Sequence, residues 1–373
     1  MNFAFEEEQR SLADTVAGVI GEIASLTGPD LETKDDDEAW RRLAEIGLFA
    51  LLVPEAHGGV GLTLVDIALA IEALGAGLAP SSVAGTLIAT DLIVRHGSEA
   101  QRADLLPRIA GGEVKIAIAL YEDGGSYRLD ELATKVAEGR LTGRKPAVAG
   151  ALGADLLIVA VAGPGGPHLL AIDAKADGVT ITSQESIDPT SSLALVSFDR
   201  VSIGNDAMID SAAALDRLAN SGATIAAGLM IGIAGRMLDA AVDYAKTRVQ
   251  FGQPIGAFQA IKHRCADMAV GVEAGRSAAY YAFWAVAEND PDAIRAASMA
   301  KAYCGAIARS VCNEAIQVHG GMGFTWELGL HRFLRRAKLL EHSFGDTAFH
   351  HERVVTATLE VATVTDAARR RLA

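Results

Sequence analysis

The chain has 373 residues with 33 basic and 47 acidic side chains, for a formal net charge of −14 at pH 7. Nucleic acids and anionic membranes both call for a basic surface, so neither is expected as a partner. Hydrophobic residues make up 50% of the chain, enough for a large core, and the length exceeds what one core usually organises, so two or three packed units are expected.

The charge suits a soluble, cytoplasmic protein. The first residues, MNFAFEEEQR, are acidic from the start and read as neither a secretory signal nor a transit peptide. Cys265, Cys304 and Cys312 show no paired spacing, so small buried thiols are expected, without a disulfide framework or zinc site. The most apolar run, GATIAAGLMIGIAG (222–235), ends at Arg236. It falls short of the roughly 20 apolar residues of a membrane span and reads as a core helix.

Residues 3 to about 110 read as helices. FEEEQRSLADTVAGVIGEIA has acids in its first turn and apolar residues at helical spacing, and EAWRRLAEIGLFALL and TLVDIALAIEALG repeat the pattern. DDDEAW reads as a solvated helix start. The Gly-rich turn VPEAHGGVGL lacks the strand–turn–helix setting of a dinucleotide loop.

Near residue 114 the hydrophobic period shortens. VKIAIAL, ADLLIVAVA, HLLAIDA and SLALVSFDRVSI read as strands, TKVAEGRLTG as a hairpin turning at Glu138–Gly139, and GPGGP (163–167) as a second turn. After about residue 210 the chain is helical again. ATIAAGLMIGIAGRMLDAAVDYAKTR and IKHRCADMAVGVEAGRSAAYYAFWAVAEN form two helices. PDAIRAASMAKAYCGAIARSVCNEAIQVHG forms a third, with Pro291 at its start and Gly320 and Gly321 at its end. A fourth runs through GLHRFLRRAKLLEH and beyond, which completes a four-helix bundle.

The stretch TRVQFGQPIGAFQ (247–259) sets Arg248, Gln250, Gln253 and Gln259 with Phe251 and Phe258 around two glycines and a proline. A guanidinium gives forked hydrogen bonds to a pyrophosphate, and a phenyl ring can pack on an aromatic ligand. In QVHGG the paired glycines let a ligand approach the backbone.

These stretches resemble the acyl-CoA dehydrogenase family over nearly the whole chain. The resemblance rests on GLFALLVPEAHGGVGLTLVDIALAIEALG and LLPRIAGGE, and most specifically on YAKTRVQFGQPIGAFQAIKHRCADM and QVHGGMGFTWELGLHRFLRRAKLLE. It implies an α+β fold with an N-terminal helical domain (1–113), a middle β domain (114–208) and a C-terminal four-helix bundle (209–373). It also implies FAD as cofactor, and assembly as tetramers. Residues matching Arg248, Phe251, Gln259, Gln317, Gly320 and Gly321 contact, in the family, the ADP half of an FAD held mainly by the neighbouring subunit.

The family's flavin-ring segments depart here from their pattern. One, resembling Thr-Glu-x-x-x-Gly-Ser-Asp with one residue fewer between Glu and Gly, reads LYEDGGSYR (120–128): Glu122, Gly125 and Ser126 remain, while Tyr121 and Tyr127 replace the Thr and the Asp. In GRKPAVAGALGAD, Pro146 to Ala149 stand where aromatic and hydroxyl groups are expected, and proline has no N–H to offer.

The family's catalytic base falls, without gaps, on Phe344 before Gly345. An alternative base position, about 26 residues before Arg248, falls near Gly222, with no acid between Leu218 and Met237. No catalytic residue is therefore assigned; Asp346 and Glu341 are the nearby acids. His342, His350 and His351 form no i, i+4 pair, so no metal site is expected.

The resemblance points to the base-lacking partner in an α2β2 acyl-CoA dehydrogenase of the bacterial type that acts on steroid side-chain CoA thioesters. The expected partners are a catalytic acyl-CoA dehydrogenase subunit with which FAD is shared, the acyl-CoA substrate and an electron-transfer flavoprotein. A self-sufficient homotetramer using Asp346 or Glu341, and a flavin-free binding or scaffold protein, remain open alternatives.

Overall fold

A computed structural model describes residues 5–25, 36–163, 165–204, 206–209 and 212–371. The expected helix start at residues 3 and 4, Asp35 of DDDEAW and Pro164 of the second turn lie outside these residues. The chain divides into two compact units, 1–219 and 220–373.

The first unit opens with helices α1 (Glu7–Ser25), α2 (Asp36–Glu45), α3 (Ala68–Ala76), α4 (Ser81–His96) and α5 (Glu99–Ala110). The helix expected across EAWRRLAEIGLFALL stops at Glu45 because Gly47 turns left-handed, at φ 76°; Leu48–Ala50 form only a 3₁₀ turn. The next expected helix starts later than its apolar pattern, at Ala68.

The strands are β1 (Ile116–Ala119), β2 (Lys135–Ala137), β3 (Arg140–Ala149), β4 (Leu156–Gly163), β5 (Gly166–Asp173), β6 (Val179–Gln184), β7 (Leu193–Ser202) and β8 (Met208–Ile209). They form a mixed sheet in the order β6-β7-β3-β2-β4-β5-β8, with β1 beside β4. Glu138 and Gly139 both have positive φ, 51° and 68°, the pairing that a two-residue hairpin turn requires. Leu141, Val148, Leu157, Val159, Leu170, Val196 and Phe198 fill the core. Strand β6 has no counterpart in the sequence reading, although VTIT at its start alternates apolar and polar β-branched residues as a strand does.

Helix α6 (Ala212–Thr247) starts in the first unit, where Arg217 grips Asp91 of α4 (Nε to Oδ2, 2.6 Å) with both side chains buried. By length and composition its span Ala213–Thr247 could cross a membrane, yet 72% of its apolar window is buried inside the fold, as in a core helix.

In the second unit α6 leads into a small ribbon, β9 (Val249–Gln250) and β10 (Gln253–Pro254). Helices α7 (Gln259–Ala287), α8 (Ala293–His319), α9 (Leu330–His342) and α10 (Thr347–Arg371) follow. Small residues let them pack closely: a Cβ on Gly275 of α7 would lie 2.3 Å from Ile231 Cδ1 of α6. The expected fourth helix is two helices. Phe344 (φ 58°) and Gly345 (φ 106°) are both left-handed and break it, and Asp346 Oδ1 then accepts the Phe349 N–H at 2.8 Å to open α10.

Candidate functional site

Arg248 directly follows α6, its N–H donating to Tyr244 O at 2.8 Å. Phe251 and Gly252 form the ribbon turn with φ of 53° and 80°, again a pair of left-handed residues. This turn raises Phe251 into solvent, 92% exposed, with the Phe258 ring edge to face at 6.0 Å between centroids. Gln259, exposed, is the first residue of α7.

Tyr244, in the last turn of α6, stacks on His319, the last residue of α8, with ring centroids 4.4 Å apart. That stack ties the two expected segments together. Gln317 is exposed in the last turn of α8. Gly320 adopts φ 59°, ψ −137°, a conformation essentially reserved for glycine, and open space lies over both Gly320 and Gly321.

No protein group binds the Arg248 guanidinium or the Gln259 and Gln317 amides among the described residues. An exposed cation, two unengaged amides, an outward phenyl ring and open glycine backbone fit the ADP half of FAD. Met322, Phe324, Trp326 and Leu328 then alternate outward, 44%, 75%, 52% and 41% exposed, and sequence reasoning did not single them out.

The ring segments of the first unit are built differently. Lys145 is fully buried and donates to Glu122 Oε1 (2.5 Å) and Leu120 O (3.1 Å), while Glu122 also accepts from the Thr134 N–H (3.2 Å). Burial pulls the Lys145 pKa down, against the opposing pull of Glu122. This pair holds the frame of both segments, and the sequence points only to its carboxylate half.

On that frame Pro146 offers no N–H, and the Ala147 N–H is already given to Gln184 Oε1 at 2.8 Å. Tyr121 and Tyr127 pack edge to face, 5.6 Å between centroids. These residues do not fit the flavin ring, because the backbone donor left beside Pro146 is taken by the chain itself.

The two expected base positions meet. A Cβ at Gly222 would lie 2.3 Å from Phe344 Cδ1 and 2.4 Å from Cε1, so the Phe344 ring already fills that space. Lys301 donates to Glu341 O (2.9 Å) and Gly345 O (2.8 Å), and His350 Nε2–H donates to Phe344 O (2.9 Å), which fixes the break. Burial draws Lys301 down to about 7 and His350 down to about 3. Glu341 is held by Arg309 (Nε to Oε2, 3.2 Å) and Asp346 by its own helix cap, so neither acid is idle. No group of three or more potential metal ligands occurs among the described residues.

Residues 6–113 match the acyl-CoA dehydrogenase N-terminal domain and residues 212–359 the C-terminal domain. The chain is 31% identical over 337 residues to the acyl-CoA dehydrogenase IpdE2 of Mycolicibacterium smegmatis, covering 89% of this chain and 92% of that protein. To the probable acyl-CoA dehydrogenase YngJ of Bacillus subtilis it is 31% identical over 383 residues, covering 96% and 99%. Among solved structures, a variant of the Tcur3481–Tcur3483 steroid ACAD is similar with a TM-score of 0.89 and 29% identity, over 96% of this chain and 99% of that one.

Proposed function

The chain belongs to the acyl-CoA dehydrogenase family, and from that premise we propose that it is the base-lacking subunit of an α2β2 enzyme. The family binds FAD and oxidises acyl-CoA thioesters, and the fold here is the family's own. The complex would desaturate the α,β bond of an acyl-CoA, with a steroid side-chain thioester as the favoured substrate. Support for that substrate class is the similarity to a steroid ACAD whose name joins two components.

The observation that carries this reading is the contact of Phe344 with Gly222. A phenyl ring cannot accept the α-proton, and it fills the space a second acid would need. Losing a general base ordinarily costs about 10²–10⁴ in rate. The acids a self-sufficient enzyme would recruit, Glu341 and Asp346, are engaged in structural hydrogen bonds.

In this reading Arg248, Phe251, Gln259, Gln317, Gly320 and Gly321 complete the ADP pocket of an FAD whose ring lies in a related, acid-bearing subunit. The exposed apolar run Met322 to Leu328 supports association with such a subunit, since contiguous exposed apolar surface marks interfaces. The division at 113 and 208, a cytoplasmic location and an electron-transfer flavoprotein as electron acceptor belong to the same reading.

Flavin content tests it. The chain purified alone should be colourless, and co-expression with an acid-bearing family member should give a yellow complex. A yellow, substrate-reducible single chain would overturn it.

A further inference from the structure

Gln184 sits at the end of β6, and Ala147 lies in β3; the two strands flank β7 on opposite sides. Gln184 and Ala149 share the same β7 partner, Leu193. To reach the Ala147 N–H at 2.8 Å, the Gln184 side chain therefore crosses the end of β7. It lies over the sheet beside the bulge between Lys145 and Val148.

Ala147 itself is exposed and left-handed, with φ 53°. A non-glycine residue keeps that conformation only where its surroundings impose it. Two contacts do so here. Lys145, buried against Glu122 and Leu120 O, anchors the chain two residues earlier, and Gln184 takes the N–H of Ala147 itself.

We propose that Gln184 is an internal stand-in for a flavin edge: its amide oxygen satisfies the backbone donor a ring would need, and its side chain covers the sheet where the ring would rest. The subunit's β segment is then closed by its own side chain as well as depleted of donors. This rests on the base-lacking reading above and assigns the exclusion to one residue.

The test uses lumiflavin, which carries the ring without phosphates, so that Arg248 cannot contribute. The full-length chain is titrated by flavin fluorescence as wild type, Gln184→Ala and Gln184→Glu, with hydrogen exchange followed at the Ala147 amide. Gln184→Ala should accelerate exchange at Ala147 and bind lumiflavin about three- to tenfold more tightly than wild type, the worth of one regained backbone hydrogen bond. Gln184→Glu keeps the acceptor and should match wild type in both measurements.

Faster exchange in Gln184→Ala without tighter lumiflavin binding would overturn the stand-in role and leave the base-lacking reading intact. Unchanged exchange would overturn it as well, because the hydrogen bond would then not be a lock. A wild-type chain that binds lumiflavin as tightly as a flavoprotein does would overturn both.

Discussion

Phe344 lies directly on Gly222: the ring of one occupies the space into which a side chain of the other would grow, 2.3 Å from its would-be Cβ. In an interior helical position alanine is favoured over glycine by about 1 kcal/mol, whereas overpacking costs about 1–3 kcal/mol. Gly222→Ala should therefore destabilise the chain, and the same change in a Phe344→Ala background should stabilise it. Urea midpoints of the two singles and the double give the coupling; additive effects would contradict the contact.

Phe344→Glu restores an acid at one base position and should still give no activity in the isolated chain. Pro146 and the occupied Ala147 N–H leave the flavin ring without its support. Anaerobic addition of acyl-CoA to this variant and to wild type, each with FAD present, should produce no flavin bleaching. Bleaching by wild type would show that another acid serves.

Arg248→Ala removes an exposed guanidinium with no protein partner among the described residues. A charge-assisted hydrogen bond contributes about 1.5–3 kcal/mol, so FAD retention in the assembled complex should weaken by roughly 10–150-fold. The chain's own melting temperature should not move. Flavin stoichiometry after dialysis is the readout, and an unchanged value would remove Arg248 from the cofactor.

His350 gives a pH signature. Burial lowers its pKa to about 3 from 6.5, so the unfolded chain binds a proton that the fold excludes across that window. Its contribution to stability is fully present above pH 6.5 and is lost as the pH falls toward 3. The slope is at most about 1.4 kcal/mol per pH unit for one proton. Lys301, lowered to about 7 from 10.5, acts with the same sign between those values. His350→Gln keeps a donor for Phe344 O and should flatten the acid limb of denaturation midpoints between pH 4 and 6.5; an unaltered limb would place the sensitivity elsewhere.

Assembly should be obligate. The apolar run Met322 to Leu328 and the 92% exposed Phe251 would otherwise stand in water. Sedimentation at micromolar concentration should show either oligomers or a poorly behaved monomer, and a stable, well-folded monomer would count against the subunit reading.

The order of helices, sheet and helices was legible in the sequence because apolar spacing reports helix and strand period directly. The 138–139 hairpin was legible for a local reason, a glycine at the turn between two alternating runs. The break at Phe344 was not, because the run RRAKLLEHSFGD keeps helical spacing. Its interruption depends on Lys301 and His350 capturing three carbonyls around it. The convergence of Gly222 and Phe344 was equally invisible: counting along the chain finds each position empty of acid, and only packing shows that they share one space. The Gln184–Ala147 bond joins strands separated by a third, and no local pattern announces it.

The clamp on the α9–α10 break also bears on how such a chain could change over generations. A new acid at 222 is met by a ring that three hydrogen bonds from Lys301 and His350 keep in place, so it needs a second replacement at 344 before it can be accommodated. A new acid at 344 would not restore the flavin-ring donors that Pro146 and the Ala147 N–H fail to offer. On the base-lacking reading proposed above, each single replacement thus gains nothing by itself, and two changes are needed before either position could serve as a base.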